Sequence, residues 1–414
     1  MSQPDQDNCK RRLRRNLVLI RGMAFTWMFL ILMPVIVPFF KSVGLKDGDV
    51  FVVQAIFSGA VALLEVPTGY VSDLLGRKRT LVLAGFLHGV SFSMLPFVHG
   101  FGGIVAFELV AALAVSLYSG TDVALQYDSA EALGEHDDRR RGLGQRLFWM
   151  QTGETMAALV GGWLVLRNLD SVAFWNAVVG WIPFIAALFL IDVDIKRMGR
   201  ASHRENFGRI VHELFHVSPV VRGVLWNLIA YGLATLFAVW VFQGYWEASG
   251  VPLIYFGYLW AGYNLVVALV GRFAHRIERV LGVLWTHRTI AFLPVLGYAG
   301  MGWVFNAGQG PGWWIAGIAL GLAFQVGRGL TQVVLKDELN VRVPAEMRAT
   351  ANSISSLGVR VGFVALGPVL GHLIDHQGHA TALFSFGVGY ILVAILVAWP
   401  LMRLMARERE AQSG

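Results

Sequence analysis

Length, composition and charge exclude most soluble classes of protein for this chain. Of its 414 residues, 56% are apolar or aromatic and only 15% are charged, and the mean hydropathy is +0.57, a composition typical of a membrane protein. The single cysteine, Cys9, excludes a disulfide framework and a cysteine metal site. No GxxxxGKS or GxxxxGKT motif is present, so an ATP-binding domain is not expected.

Twelve apolar runs are long enough to cross a bilayer, whose hydrocarbon core of ~30 Å requires about 20 helical residues. Because lipid offers the backbone no hydrogen-bond partner, each run is predicted to form a helix. The first run follows a basic tail and lacks a small-residue cleavage site, which favours an uncleaved helix. Spans 1 to 12 are predicted at 17–39, 50–71, 80–98, 102–126, 147–166, 172–193, 219–245, 252–271, 289–306, 312–335, 349–374 and 380–402.

The basic residues follow a membrane topology and do not indicate a nucleic-acid partner. Of the 34 Lys and Arg residues, only Lys41, Lys46 and Arg167 fall in predicted external loops, whereas clusters such as 10–15 and 77–79 are cytoplasmic. This positive-inside asymmetry places both termini in the cytoplasm and the chain in the cytoplasmic membrane. The lipid bilayer is therefore a predicted partner, and a monomer is expected.

The second half of the chain repeats features of the first at a nearly constant offset of about 200 residues. The corresponding positions are Arg21 and Arg222, Gly69 and Gly271, Asp73 and His275, Gly120 and Gly329, Asp128 and Asp337, and Arg139 and Arg348. The repeat predicts two six-helix halves, 1–193 and 219–414, joined by a cytoplasmic linker at 194–218.

The loop after span 2 carries a specific motif. Its sequence, GYVSDLLGRKR, resembles the GxxxDxxGRK loop of the major facilitator superfamily at Gly69, Asp73, Gly76, Arg77 and Lys78. The twelve-span plan resembles that family over essentially the whole chain. The resemblance implies an all-α membrane protein in which two pseudo-symmetric six-helix halves surround a central cavity. It also implies a secondary transporter that works by alternating access.

The residues of this loop have physical roles that fit the resemblance. Gly69 would allow close approach of a neighbouring helix, and Asp73 can accept from the free amides at the start of a partner helix. Gly76 permits a positive φ, which leaves Arg77 free to pair with Asp128 at the cytoplasmic end of span 4. Such a cluster would latch the cytoplasmic side. The alternative is a basic loop that only sets topology.

Charged residues inside a membrane are costly and usually face a cavity. Spans 3, 6, 9 and 12 carry no Asp, Glu, Lys or Arg in their interiors. The interior charges of the other spans are Arg21, Glu65, Glu108, Asp122, Glu154, Arg222, Arg328 and Arg360. The family resemblance implies that spans 1, 4, 7 and 10 line the cavity and that 2, 5, 8 and 11 flank it, which agrees with this distribution.

Depth along the helices predicts pairs among these charges. Arg21 and Asp122 each lie about 6 Å from the cytoplasmic end at ~1.5 Å per residue, so they could pair and neutralise one another. Glu65 and Arg328 also share a depth, and all four are equally compatible with structural pairs or functional groups. Arg360 falls near the midplane.

Three carboxylates are candidates for proton coupling. Glu108 lies in the external half with no cation at its depth, and an isolated carboxylate in a low dielectric can take up and release a proton. Glu154, near the midplane, is the second candidate, and Asp122 is the third. The alternative for Glu108 is a protonated carboxyl that bonds a neighbouring helix.

Span 7 offers a candidate recognition surface. Asn227, Tyr231 and Gln243, together with the cations Arg21, Arg328 and Arg360, are the predicted substrate-cavity residues. Aromatic walls with a few fixed polar groups suit an amphiphilic organic ligand. Trp246, Trp313 and Trp314 lie near predicted membrane surfaces, which favours an interfacial aromatic belt for them.

The linker contains a literal HExxH motif at His212, Glu213 and His216. This spacing places two imidazoles and a glutamate as zinc proteases require. Residues 204–217 also form an amphipathic pattern that fits a helix on the membrane surface, and no third ligand follows in the cytoplasm. A membrane-bound zinc hydrolase is therefore only a remote alternative, and no cofactor or metal is expected.

The direction of transport rests on a family pattern in span 5. Exporters of drugs in the superfamily typically carry GPxxGG there, whereas this chain has Ala157 and Ala158 before Gly161 and Gly162. The sequence slightly favours efflux of a small organic molecule by proton antiport, with proton-coupled uptake of a small organic or chelated nutrient as the alternative. Interior cations and carboxylates balance, so the sequence does not indicate the charge of the substrate.

Overall fold

The computed structural model of the protein describes residues 3–134, 138–193, 218–308, 310–344 and 347–413. Every regular element in these ranges is helical, and nine helical segments are long and apolar enough to cross a membrane. The predicted all-α membrane fold is thereby confirmed. The count of twelve spans stays a prediction, because the other predicted spans fall in helices that are broken, more polar or continuous with a neighbour.

The first part of the chain contains nine α-helices within the described ranges. They are α1 (Gln3–Trp27), α2 (Ile36–Ser42), α3 (Asp47–Leu75), α4 (Arg77–Met94), α5 (Gly100–Tyr118), α6 (Thr121–Ala132), α7 (Asp138–Leu164), α8 (Leu169–Val179) and α9 (Ile182–Leu188). Predicted spans 1, 4 and 6 are each divided between two of these helices.

The second part adds seven α-helices, most of them longer. They are α10 (Pro219–Ala248), α11 (Phe256–Leu281), α12 (Val283–Ala307), α13 (Pro311–Leu330), α14 (Lys336–Arg342), α15 (Arg348–Val393) and α16 (Trp399–Ser413). Predicted spans 11 and 12 share α15, which is kinked at Gly378. Two π-helical segments, Thr331–Leu335 and Ala394–Ala398, connect successive helices.

The break of span 1 is held by two neighbouring helices. The Leu32 amide donates a hydrogen bond to Asn176 Oδ1 of α8 at 3.1 Å, which pairs a backbone group that has no helical partner. A Cβ on Gly161 of α7 would overlap the Ile31 carbonyl oxygen. Glycine at this position therefore lets α7 pack against the broken segment.

The break of span 4 positions a carboxylate. α5 ends at Tyr118, Gly120 adopts φ +80, and α6 begins at Thr121. Glycine is favoured here because L side chains rarely tolerate positive φ. Asp122 consequently lies in the first turn of α6, where the helix dipole stabilises a negative charge.

The chain divides into two compact units. Unit 1 comprises Met1–Leu45, Ile56–Met198 and Leu253–Ala261, and unit 2 comprises Lys46–Ala55, Gly199–Pro252 and Gly262–Gly414. The first residues of α3 thus belong to unit 2, and those of α11 belong to unit 1. The halves predicted from the repeat, 1–193 and 219–414, stay a prediction.

Each unit has its own buried core. In unit 1, the core includes Ile20, Trp27, Leu81, Leu117 and Leu125, contributed by α1, α4, α5 and α6. In unit 2, tyrosine hydroxyls bond backbone carbonyls of other helices. Tyr298 donates to Ala234 O at 2.7 Å, Tyr390 to Ala230 O at 3.1 Å and Tyr263 to Ile318 O at 2.8 Å.

Candidate transport site

The loop between α3 and α4 has the predicted pairing. Gly76 adopts φ +92 immediately before α4, and Arg77 Nε lies 3.8 Å from Asp128 Oδ2. Arg77 Nη1 also lies 3.2 Å from Asp73 Oδ1. One guanidinium therefore joins the loop to α6, as the charges and spacing of the sequence predict. Lys78 contributes its backbone amide rather than its side chain to the interactions described next.

Two details of this loop differ from expectation. The Lys78 amide at the start of α4 donates to Asp192 Oδ1 at 2.7 Å, so Asp192 has the helix-capping role expected of Asp73. A Cβ on Gly69 would meet nothing within 4 Å. The predicted close approach at Gly69 is therefore wrong in this structure. Asp192 lies at the very end of span 6, and its carboxylate just after an apolar run was the signal that could have found it.

A buried ion pair lies beside the break of span 4. Arg146 Nε of α7 is 2.5 Å from Asp122 Oδ2, and the two side chains are 18% and 1% exposed. The predicted pairing of Arg21 with Asp122 is wrong, since Arg146 is the partner. Sequence reasoning missed Arg146 because it sits one residue before predicted span 5 and was counted as cytoplasmic.

Aromatic rings lie beside this ion pair. The Arg146 guanidinium carbon lies 6.0 Å from the centroid of Tyr118, and the Tyr118 hydroxyl interacts electrostatically with both charges. The Tyr118 ring stacks on Trp27 at 3.9 Å and an interplanar angle of 8°. Trp27 in turn contacts His88, with ring centroids 4.3 Å apart. We call Tyr118, Asp122, Gln126 and Arg146 the inner polar site.

Buried polar atoms near this site lack protein partners within the described ranges. Those without a hydrogen bond include Tyr118 Oη, Asp122 Oδ1, Gln126 Oε1 and Arg21 Nε, the last on α1. Buried polar atoms in proteins are almost always hydrogen-bonded, and an unmet buried donor or acceptor costs ~1–3 kcal/mol. The arrangement is therefore suited to water or to the polar groups of a ligand.

The two other proton-coupling candidates lie elsewhere in unit 1. Glu108 is buried in α5 and interacts with other groups of the protein, and both of its predicted roles stay predictions. Glu154 Oε1 of α7 accepts a hydrogen bond from Trp260 Nε1 at 3.1 Å. Trp260 was not found from the sequence, although an indole is a donor without acceptor capacity and suits a carboxylate.

The predicted substrate residues of span 7 belong to the packed interior of unit 2. Asn227 Nδ2 donates to Gly223 O at 2.8 Å and to Val397 O at 3.1 Å, so this amide is bonded to backbone. Tyr231 and Gln243 are also buried. The structure thus places these three side chains in the buried interior of unit 2, and their role as substrate-cavity residues stays a prediction.

Trp246 is fully buried, with its ring 5.9 Å from Phe242 and 5.5 Å from Tyr263. The predicted interfacial position of Trp246 is therefore wrong. Trp313 is partly exposed, with 37% of its surface accessible.

The cations of unit 2 have different surroundings. Arg328 is partly buried in α13, and Glu65, which has a similar predicted depth, belongs to unit 1. Arg360 in α15 has a buried Nε without a hydrogen bond, although its side chain interacts otherwise. The motif His212, Glu213 and His216 lies outside the described residues. Among the residues that are described, no group of three or more His, Cys, Asp or Glu could hold a metal ion.

Apolar helices that enclose a buried ion pair and open hydrogen-bonding atoms have the features that mark substrate or ion pathways in membrane proteins. The sequence matches the family model of the Major Facilitator Superfamily over residues 18–341. The chain belongs to the Major Facilitator Superfamily.

The fold is similar to solved transporters along nearly the whole chain. The nucleoside transporter NupG has a TM-score of 0.72 at 14% identity, covering 96% of this chain and 99% of that one. A D-xylose-proton symporter has a TM-score of 0.71 at 14% identity, with coverage of 93% and 96%. The POT family transporter PepTSo has a TM-score of 0.66 at 17% identity, with coverage of 97% and 99%. No curated protein sequence matches this chain.

Proposed function

We propose that this member of the superfamily is a proton-coupled secondary transporter of a small organic molecule and that Asp122 carries the proton. The observation that supports this most is the asymmetry of the Asp122 carboxylate. One oxygen is bound to Arg146, and the other is buried without a partner in the described part of the chain. A proton can therefore be accepted without first breaking another hydrogen bond.

Proton uptake and ligand binding would be linked through Arg146. While Asp122 is ionised, its charge-assisted bond holds the guanidinium. When Asp122 takes up a proton, the attraction weakens, and Arg146 becomes available to an acceptor group of a ligand. A bond to a charged group is worth ~1.5–3 kcal/mol, which is enough to couple the two events by a factor of about ten to a hundred.

The site also suggests the class of ligand. The Trp27 and Tyr118 stack offers an apolar face, Arg146 offers donors, and the open oxygen of Gln126 offers an acceptor. Such a combination suits a small organic molecule with a planar or apolar part and at least one hydrogen-bond acceptor. Glu108 and Glu154 remain the alternative proton carriers.

Export by antiport is the direction we favour. Helix α7 keeps the paired glycines of the exporter pattern, and both serve close packing. A Cβ on Gly162 would lie 3.1 Å from Gly257 Cα, and one on Gly161 would overlap the Ile31 carbonyl. The alternative is proton-coupled uptake. It is supported by the fold similarity to a D-xylose-proton symporter and a nucleoside transporter.

The proposal includes a cytoplasmic latch and a topology. Arg77 with Asp73 and Asp128 would hold α3, α4 and α6 together on the cytoplasmic side and would release as that side opens during alternating access. Both termini would lie in the cytoplasm, with the protein acting as a monomer in the cytoplasmic membrane.

Everted membrane vesicles with a pH-sensitive dye in the lumen test coupling and direction. In such vesicles the former cytoplasmic face is outside, and respiration acidifies the lumen. A transported compound should alkalinise the lumen if the protein is an antiporter, because protons leave as the compound enters. A compound that is accumulated in right-side-out vesicles together with protons would instead establish the uptake alternative. Transport that proceeds without any proton movement would contradict the proposal.

A further inference from the structure

A cleft of about 600 Å³ lies on unit 2 between α12 and the end of the chain. Its volume is within the usual range for ligand-sized clefts, ~300–1,000 Å³. The lining is apolar apart from one cation at its end. The lining residues are Arg288, Ala291, Phe292, Val295, Ile391, Ala394, Ile395, Trp399 and Met402.

The cleft has the length of one lipid leaflet. On α12 the lining runs from Arg288 to Val295, and on the other side it runs from Ile391 to Met402. At ~1.5 Å per residue these stretches cover about 10 and 16 Å, close to half of the ~30 Å hydrocarbon core. Phe292 and Ile395 are more than half exposed, so the cleft opens away from the protein interior and towards lipid.

Two cations lie at the same end of the cleft. Arg288 is near the start of α12, and its guanidinium carbon is 4.6 Å from the ring centroid of Trp285. Arg403 lies in α16, with its guanidinium carbon 5.1 Å from the ring of Trp399. Tryptophan and arginine are the residues that anchor at the membrane interface, where a long cationic side chain reaches the headgroups.

The wall of the cleft has a fixed, irregular shape. Ala394 and Ile395 belong to the π-helical segment Ala394–Ala398, in which the widened turn leaves backbone carbonyls without their usual partners. Asn227 of α10 donates to the carbonyl of Val397 at 3.1 Å. This buried amide holds the π-helical segment on the side opposite the cleft, so the shape of the lipid-facing wall is stabilised by a hydrogen bond.

We infer that this cleft binds one acidic phospholipid, with an acyl chain along the apolar lining and the phosphate between Arg288 and Arg403. Two guanidinium groups at one end favour a headgroup without an ammonium, since a zwitterionic headgroup would bring a like charge to the same place. The lipid is a bound ligand of unit 2 and is independent of the transported molecule. By the positive-inside topology, it would come from the cytoplasmic leaflet.

The probe is a photoactivatable phosphatidylglycerol, compared with the phosphatidylcholine of the same acyl chains, in nanodiscs that hold the full-length protein. We expect phosphatidylglycerol to crosslink to peptides that contain residues 288–295 and 391–402 in preference to phosphatidylcholine. Each arginine near a membrane surface contributes about fivefold to the binding of an acidic lipid. Arg288→Gln/Arg403→Gln should therefore reduce the preference about 25-fold.

Two further variants make the result specific. Arg276→Gln/Arg279→Gln removes equal charge from the exposed end of α11 and should leave the crosslink unchanged. Ala394→Phe fills the cleft and should reduce crosslinking of both lipids at these peptides. Equal labelling by both lipids, or an equal loss with the α11 variant, would overturn the inference. Displacement of the probe by a transported compound would also overturn it, because the cleft would then be a substrate site.

Discussion

The buried Asp122–Arg146 pair should show strong energetic coupling. Replacing Arg146 by glutamine leaves a carboxylate that is 1% exposed without its cation, and the loss of one partner of a buried pair costs ~3–5 kcal/mol. Replacing Asp122 by asparagine leaves a guanidinium that is 18% exposed and lies by the Tyr118 ring. Because this guanidinium keeps some solvation and the ring contact, we expect the free energy of unfolding to fall by only ~1–3 kcal/mol.

The double variant Asp122→Asn/Arg146→Gln removes both charges and leaves two amides that can bond each other. We expect it to lose only ~1–2 kcal/mol, so that the coupling energy of the double-mutant cycle is at least ~2 kcal/mol. The assay is the free energy of unfolding of the purified protein in micelles, followed by tryptophan fluorescence.

A matched cycle at Arg342 and Glu408 serves as the control. These side chains are 26% and 45% exposed and approach to 3.3 Å, so their coupling should not exceed ~1 kcal/mol. If the two single losses at Asp122 and Arg146 add up in the double variant to within ~0.5 kcal/mol, the pair is not coupled and the reasoning is refuted.

Three further predictions concern other parts of the chain. Asp73→Asn should impair transport while leaving membrane insertion intact, and normal transport by this variant would exclude the latch. Gly257→Ala should lower the free energy of unfolding by ~1–3 kcal/mol, because its Cβ would overlap the Ala158 carbonyl. Gly262→Ala has open space around its Cβ and should raise the free energy of unfolding by up to ~1 kcal/mol. Similar effects of the two substitutions would contradict this packing. Metal analysis of the purified protein should find no stoichiometric zinc, and zinc that is lost on His212→Ala would instead support the hydrolase alternative.

Features that depend on opposite charges or on a glycine in a short turn could be predicted from the sequence. The positive φ of Gly76 follows from its place between two helices, and the Arg77–Asp128 pair follows from opposite charges at the same membrane surface. The helical membrane fold follows from the apolar runs. These features depend on composition and on residues close together in the predicted topology.

Other features depend on helix ends and on rotation about the helix axis, which hydropathy does not determine. Arg146 lies inside α7 because that helix begins at Asp138, well before the apolar run. Asn227 bonds Val397 because of a π-helical turn that no sequence pattern indicated. Trp246 is buried because α10 turns its aromatic face into unit 2 rather than outwards.

Asp122 is proposed to couple proton movement to transport. The most direct test of this role uses proteoliposomes with Asp122→Asn and, as matched controls, Glu108→Gln and Glu154→Gln. We predict that Asp122→Asn retains exchange of labelled substrate across the membrane at equal concentrations but loses accumulation driven by a pH gradient, while at least one control accumulates normally. Accumulation by Asp122→Asn at the wild-type level would contradict this role. If accumulation is lost only in Glu108→Gln or only in Glu154→Gln, that residue would be the proton carrier instead.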